Sequence, residues 1–265
     1  MSAGAVQHIA RYRSEGREHH GRREAGGFVR LDAPPWLGGS ETGPFDRADQ
    51  VTLLAPVAPG KIVCVGLNYK AHIAESLSVT AGTPPPREPL LFLKPPSAVI
   101  ATGEAIRYPR SVTRLDPEAE LAVVMGRRAR AVSAADALGY VAGFTAINDV
   151  SARNHQREDG QWTRAKGFDT FAPLGPWVAT GLDAGALAVT CRVNGVPRQN
   201  GHTSDLLFPV PVLIGFISSI MTLEPGDVIA TGTPAGIAPV EVGDVIEVEV
   251  EGIGVLVNRV EGPEA

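Results

Sequence analysis

Leu115-Asp116-Pro117-Glu118-Ala119-Glu120-Leu121-Ala122-Val123-Val124-Met125-Gly126 places two glutamates, one residue apart, at the head of an apolar run. In an extended strand, side chains at i and i+2 point to the same face, so Glu118 and Glu120 stand side by side. Like charges held that close repel unless something positive sits between them. A hard divalent cation with oxygen ligands meets that need. Asp149, which closes Gly143-Phe144-Thr145-Ala146-Ile147-Asn148-Asp149, offers a third oxygen donor. The same pattern fits a solvated strand face beside an unrelated loop aspartate, because carboxylates are mostly exposed. Spacing alone leaves both readings open.

Around this stretch the chain reads mainly as short strands. Apolar runs or alternation predict strands over 61–66, 90–93, 98–100, 120–125, 187–193, 227–230, 244–250 and 255–260. Asn194-Gly195 is a hairpin signal. A short helix is expected over 134–138, with Ser133 as its N-cap. Residues 206–223 carry no charge and approach the length of a membrane span, but Pro209 and Pro211 break their start and Ser218 and Ser219 interrupt their end. They read as a turn into a buried helix from about Val212. Many strands and few helices give an α+β class, without the regular alternation of a doubly wound sheet.

The length of 265 residues suits one large domain, or one with a small appendage. Residues 1–57 differ from the rest, being rich in Gly, Arg and His with strands expected near 9–12 and 28–31. His19-His20 lies in a basic stretch and reads as a solvated turn rather than a metal site. A net charge of −5 argues against a nucleic-acid surface. Cys64 and Cys191 lie in apolar runs and read as reduced core residues of a cytoplasmic protein, and there is no secretory h-region. No membrane partner is expected.

Six segments in order resemble the fumarylacetoacetate hydrolase family over residues 60–260. They are Val63-Cys64-Val65-Gly66-Leu67-Asn68-Tyr69-Lys70-Ala71-His72-Ile73-Ala74-Glu75; Leu91-Phe92-Leu93-Lys94-Pro95; the Glu-x-Glu strand; Asn148-Asp149-Val150-Ser151-Ala152-Arg153-Asn154-His155-Gln156; Gln161-Trp162-Thr163-Arg164-Ala165-Lys166-Gly167-Phe168-Asp169-Thr170; and Thr231-Gly232-Thr233-Pro234-Ala235-Gly236. Pro117 departs from the family, which more often has an aromatic or apolar residue there; proline suits a strand's start or edge. The resemblance implies a mixed sheet rolled into a barrel, with Mg2+ or Mn2+ held at its mouth by Glu118, Glu120 and Asp149. It implies too that residues 1–57 form a small N-terminal domain and that residues 58–265 form the catalytic domain.

The resemblance also turns isolated residues into a site. It implies that Arg153, Gln156 and Lys166 point into the pocket; Arg153 and Gln156 share a face if a helix starts there. It implies that His72 and Glu75, spaced i, i+3, form an acid–base pair on a lid, with Gly82-Thr83 as a hinge before the stiff Pro84-Pro85-Pro86. Without it, the pair would read as a surface helix pair and Thr233 as part of an ordinary Gly-Pro turn. With it, the hydroxyl and N–H of Thr233 become candidates for holding a substrate carboxylate, and Tyr69 and Lys94 are lesser candidates. Leu67 stands where some relatives acting on small oxo-diacids carry a basic residue.

The expected substrate is a small 2-oxo mono- or dicarboxylate whose enolate the cation stabilises. One such device serves isomerisation, decarboxylation and β-diketone hydrolysis. The Trp162 to Pro173 stretch resembles 2-hydroxyhepta-2,4-diene-1,7-dioate isomerases and the related decarboxylases; oxaloacetate decarboxylase or acylpyruvate hydrolase is the alternative. A catalytically silent metal-binding protein is the alternative of another class. The family suggests a homodimer.

Overall fold

The computed structural model describes residues 5–75 and 84–263. Two sheets hold most of the chain. The larger runs, by neighbouring strands, Glu41–Arg47, Gly27–Leu31, Arg17–Glu24, Gln7–Ser14, Ala172–Thr180, Val141–Asn148, Ala119–Met125, Val228–Ala230, Ile62–Gly66 and Leu90–Lys94. The smaller runs Val196–His202, Ala188–Val193, Val245–Val250, Gly254–Glu261 and Ala105–Arg107. The α+β expectation therefore holds, with parallel pairing of Val228–Ala230 to Ile62–Gly66 among mostly antiparallel neighbours.

The expected barrel differs in one respect: among the described residues no pairing joins the two ends of the larger sheet. The physical reason lies at the N-terminus. Gln7–Ser14 pairs with Ala172–Thr180, so the N-terminal strands extend the sheet outward from that edge. His19 and His20 lie in the Arg17–Glu24 strand and not in a turn. The N-terminal strands carry their own small core, in which Tyr12 stacks on Phe28 at 5.0 Å between ring centroids. Gly21 is required there, since a Cβ would lie 2.8 Å from the Tyr12 ring.

The Ala119–Met125 strand is buried along its whole length. This fits a central strand covered on both faces, where a near-continuous apolar run replaces alternation. One face packs with Val63, Phe144, Val189, Ile246 and Val248 between the two sheets; the other packs with Ile62, Ile147 and Leu174. Val245–Val250, at the outer sheet, alternates as its sequence predicts.

Helices are few: α1 (Lys70–Glu75), α2 (Arg153–Glu158), α3 (Thr163–Lys166) and α4 (Val210–Ile220). The apolar segment is thus an eleven-residue helix with Pro211 in its first turn, and no helix among the described residues is long and apolar enough to cross a membrane. The helix expected over 134–138 is only a 3-10 turn at Ala137–Tyr140. Ser133 still caps locally, its hydroxyl accepting the Asp136 N–H at 3.2 Å. The expected Gly82-Thr83 hinge lies outside the described residues.

Candidate active site

The two glutamates lie where the strand order leaves a gap. Val228–Ala230 pairs with the central strand only at 122–124. Toward Ala119 that edge of the strand is met instead by the loop at 231–236. The Thr231 hydroxyl donates to the Leu121 carbonyl at 2.9 Å, and the Gly232 N–H donates to Glu120 Oε2 at 2.7 Å. Gly232 can approach this closely because it has φ +103° and no Cβ; one would lie 2.8 Å from Asn68 Cβ.

Glu118, Glu120 and Asp149 come together as the sequence predicts. All three are buried, and one oxygen from each lies within 4.8 Å of the others. Three cations interleave with them. Lys166 Nζ, at the end of α3, donates to Glu118 Oε2 and Asp149 Oδ2, both at 2.6 Å. Arg153, at the start of α2, reaches Glu118 Oε1 at 2.6 Å, Asp116 Oδ2 at 2.9 Å and Gln156 Oε1 at 2.8 Å. Lys94 is buried and donates to Asp149 Oδ1 at 2.6 Å and to the Val150 carbonyl. The sequence marked Lys94 only as a lesser candidate, at the end of the apolar run Leu90-Leu91-Phe92-Leu93. Nothing in Leu90–Lys94 signals that this lysine points inward to a carboxylate.

The electrostatics separate the two glutamates. Burial pushes Glu118 up, but the Lys166 and Arg153 charges outweigh it and hold the carboxyl well below the usual range. Glu120 goes the other way: burial, then the Asp149 and Glu118 charges, push it well above the usual range. Lys166 is raised: burial works against its charge, and the Asp149 and Glu118 carboxylates prevail. Burial lowers Lys94. Glu120 is thus the one member of the triad with no cation of its own. A dication bound by one oxygen from each acid would meet that deficit, and carboxylate oxygens that already accept an N–H retain a lone pair for it. The residues fit a hard divalent ion.

The cavity over the triad has two kinds of wall. Arg153, Gln156, Lys166, His72 and Thr233 make the polar side, and Val65, Leu67, Phe92 and Trp162 the apolar side. Trp162 packs edge-on to Phe92 at 5.2 Å and lies against Gly66, where a Cβ would meet its ring at 2.8 Å. Leu67 sits at φ 58°, a left-handed turn that redirects the chain from the Ile62–Gly66 strand into α1. His72 Nδ1 lies 3.2 Å from Glu75 Oε1. Glu75 in turn accepts the Gly236 N–H at 2.9 Å and the Ile237 N–H at 3.3 Å, tying α1 to the 231–236 loop.

Two candidates sit differently from the expectation. Tyr69 is buried beside the site but lines a neighbouring cleft with Lys70, Asn200, Asp205 and Pro234. The Thr233 hydroxyl donates to the Ala119 carbonyl at 2.9 Å and accepts from Gln199 Nε2 at 2.7 Å, which leaves it no proton for a carboxylate. Only its backbone N–H remains as a donor of the kind expected. Three buried residues were missed. Asn68 ties the root of α1 to Thr231 and Phe208, Asn148 Oδ1 accepts the Glu118 N–H at 2.9 Å, and Gln199 is taken up below.

A family model described as "Fumarylacetoacetate (FAA) hydrolase C-terminal" matches residues 61–261, and one described as "Rv2993c-like, N-terminal" matches residues 7–56. The chain is 48% identical over 213 residues to Protein Rv2993c of Mycobacterium tuberculosis, covering 79% of this chain and 78% of that one. It is 43% identical over 224 residues to the mitochondrial oxaloacetate tautomerase FAHD2A of Bos taurus, covering 80% of this chain and 70% of that one. The crystal structure of 2-hydroxyhepta-2,4-diene-1,7-dioate isomerase from Mycobacterium marinum superposes with a TM-score of 0.89 at 38% identity, covering 98% of this chain and all of that one.

Proposed function

This chain belongs to the fumarylacetoacetate hydrolase family, and from that premise we infer that it is a Mg2+- or Mn2+-dependent enzyme that moves a proton at the carbon next to the carbonyl of a 2-oxo dicarboxylate. The observation that carries this reading is the charge balance of the buried cluster. Three buried cations, Lys94, Lys166 and Arg153, equal Glu118, Glu120 and Asp149 in number, although their ion pairs go to Glu118 and Asp149 and none reaches Glu120; Asp116, which Arg153 also bonds, is paired in addition by Arg114. A dication added to a balanced, buried cluster leaves two positive charges, and a dianionic substrate cancels them. The names of two relatives, an oxaloacetate tautomerase and a heptadienedioate isomerase, share this feature: both substrates are dicarboxylates, and both reactions relocate a proton.

A bound Mg2+ or Mn2+ would supply the Lewis-acid charge that lowers the cost of an enolate. The chain's own residues do the rest. Arg153, Gln156 and the Thr233 N–H hold and orient carboxylate oxygens. Lys166, kept protonated by two carboxylates, acts as a fixed positive charge beside the developing oxyanion rather than as a base. Glu75 holds His72 by Nδ1, so Nε2 is the nitrogen that exchanges a proton with the substrate carbon. The apolar wall of Phe92, Trp162 and Leu67 limits water at the same carbon. The reading includes the homodimer expected from the family, which sedimentation velocity tests directly.

The test is a turnover panel of oxaloacetate, 2-hydroxyhepta-2,4-diene-1,7-dioate and acetylpyruvate, each with Mg2+, Mn2+ or EDTA. Metal-dependent isomerisation or tautomerisation of a dicarboxylate supports the reading. Metal-dependent cleavage of acetylpyruvate alone would move it to a hydrolase of monocarboxylates.

A further inference from the structure

We propose that Gln199 is a positioning residue through which the five-stranded sheet holds the two glutamates in register; the proposal rests on the metal reading above. Gln199 is the one buried residue of the Val196–His202 strand, which lies at the edge of its sheet. Its carboxamide leaves that sheet and enters the site from behind. Oε1 accepts the Ala119 N–H at 2.9 Å, while Nε2 donates to Thr233 Oγ1 and to the Pro234 carbonyl, both at 2.7 Å.

Thr233 Oγ1 then donates to the Ala119 carbonyl at 2.9 Å, closing a ring of hydrogen bonds. Ala119 is the residue between Glu118 and Glu120. In a strand, one residue's N–H and C=O face the same edge. At Ala119 that edge has no neighbouring strand, because Val228–Ala230 ends its pairing at Ala122. Gln199 and Thr233 supply the partners that a strand would have supplied. On the other side, Asn148 Oδ1 accepts the Glu118 N–H. Two side-chain amides thus fix the peptide groups on which both glutamates depend, and the ring leaves Thr233 fixed at the cavity wall. Only a carboxamide fits. A carboxylate would face the Pro234 carbonyl and lose both donors, and a methionine fills the space with no hydrogen bond.

The experiment measures Mn2+ affinity by electron paramagnetic resonance, together with the melting temperature, for the full chain and for Gln199→Met, Gln199→Glu, Thr233→Val and the exposed-neighbour control Arg198→Met. Wild type and Arg198→Met should bind alike. Gln199→Met, Gln199→Glu and Thr233→Val should each weaken Mn2+ binding about tenfold or more. The Gln199→Met/Thr233→Val pair should be no worse than either single change, because one ring is broken once. At saturating Mn2+, KM should rise more than kcat falls. A Gln199→Met protein that melts lower yet binds Mn2+ like wild type overturns the proposal, leaving Gln199 a packing residue. If that variant does not fold, Thr233→Val reads the same ring, and wild-type affinity there is equally fatal. A wild-type chain that binds no Mn2+ sinks the metal reading itself, a separate and recognisable failure.

Discussion

At the scale of single residues, the site is a set of charges whose neighbours decide their roles. Glu120→Gln keeps an acceptor for the Gly232 N–H but removes the one triad charge without a cation. It should abolish Mn2+ binding while the melting temperature holds or rises, since a carboxyl whose charged form is disfavoured by burial and by the Asp149 and Glu118 charges gives way to a neutral amide. Lys94→Met should act the other way. It strips a cation from Asp149 inside the core, and breaking a buried pair costs roughly 3–5 kcal/mol; calorimetry should show a clear fall in stability. The glutamates were legible because a strand's period of two is geometric, and Asp149 because it ended an apolar run. Lys94 and Gln199 were not. A lysine after Leu-Phe-Leu, and a glutamine between exposed Arg198 and Asn200, carry no local mark of burial; both are held by partners far along the chain, Asp149 for Lys94 and Ala119 and Thr233 for Gln199.

At the scale of elements, two devices can be tested separately. Helix α1 is tied down by Glu75, whose carboxyl burial pushes up but which His72 and the Gly236 and Ile237 N–H groups hold below the usual range. Glu75→Gln keeps a hydrogen bond to that loop but weakens the hold on the His72 ring. It should lower kcat for proton exchange at carbon, measured by deuterium uptake into the substrate, more than it raises KM. In the N-terminal strands, the Arg30 guanidinium, together with the Tyr12 and Ser14 hydroxyls, holds Asp46 at about 2, against an ordinary value of 3.8. A depressed carboxyl stabilises the fold above its ordinary pKa, and that stability drains as pH falls through the folded value. Asp46→Asn should therefore cost on the order of 2 kcal/mol at neutral pH, and the gap from wild type should close between pH 4 and pH 2. The sequence showed α1 only as an i, i+3 pair. It overestimated the helix after Ser133, because a capping serine also closes a single turn.

At the scale of the whole molecule, the site lies where two sheets and the 231–236 loop meet. The central strand brings Glu118 and Glu120, its neighbour's end brings Asp149, α2 and α3 bring Arg153 and Lys166, and an edge strand brings Lys94. The sequence carried the strand content and the order of the motifs. It did not carry how the N-terminal strands join the larger sheet, since edge pairing is settled by tertiary contact and not by local pattern. What unites these parts is a balanced buried cluster that gains two positive charges with its ion. Oxalate is a planar dianion shaped like an enolised 2-oxo acid, so its calorimetric titration into the protein is the most direct test. With Mn2+ present, oxalate should bind at one site per chain; with EDTA, or in Glu120→Gln, it should not bind. Equal oxalate affinity with and without metal, or none in a chain shown to hold Mn2+, would contradict the account.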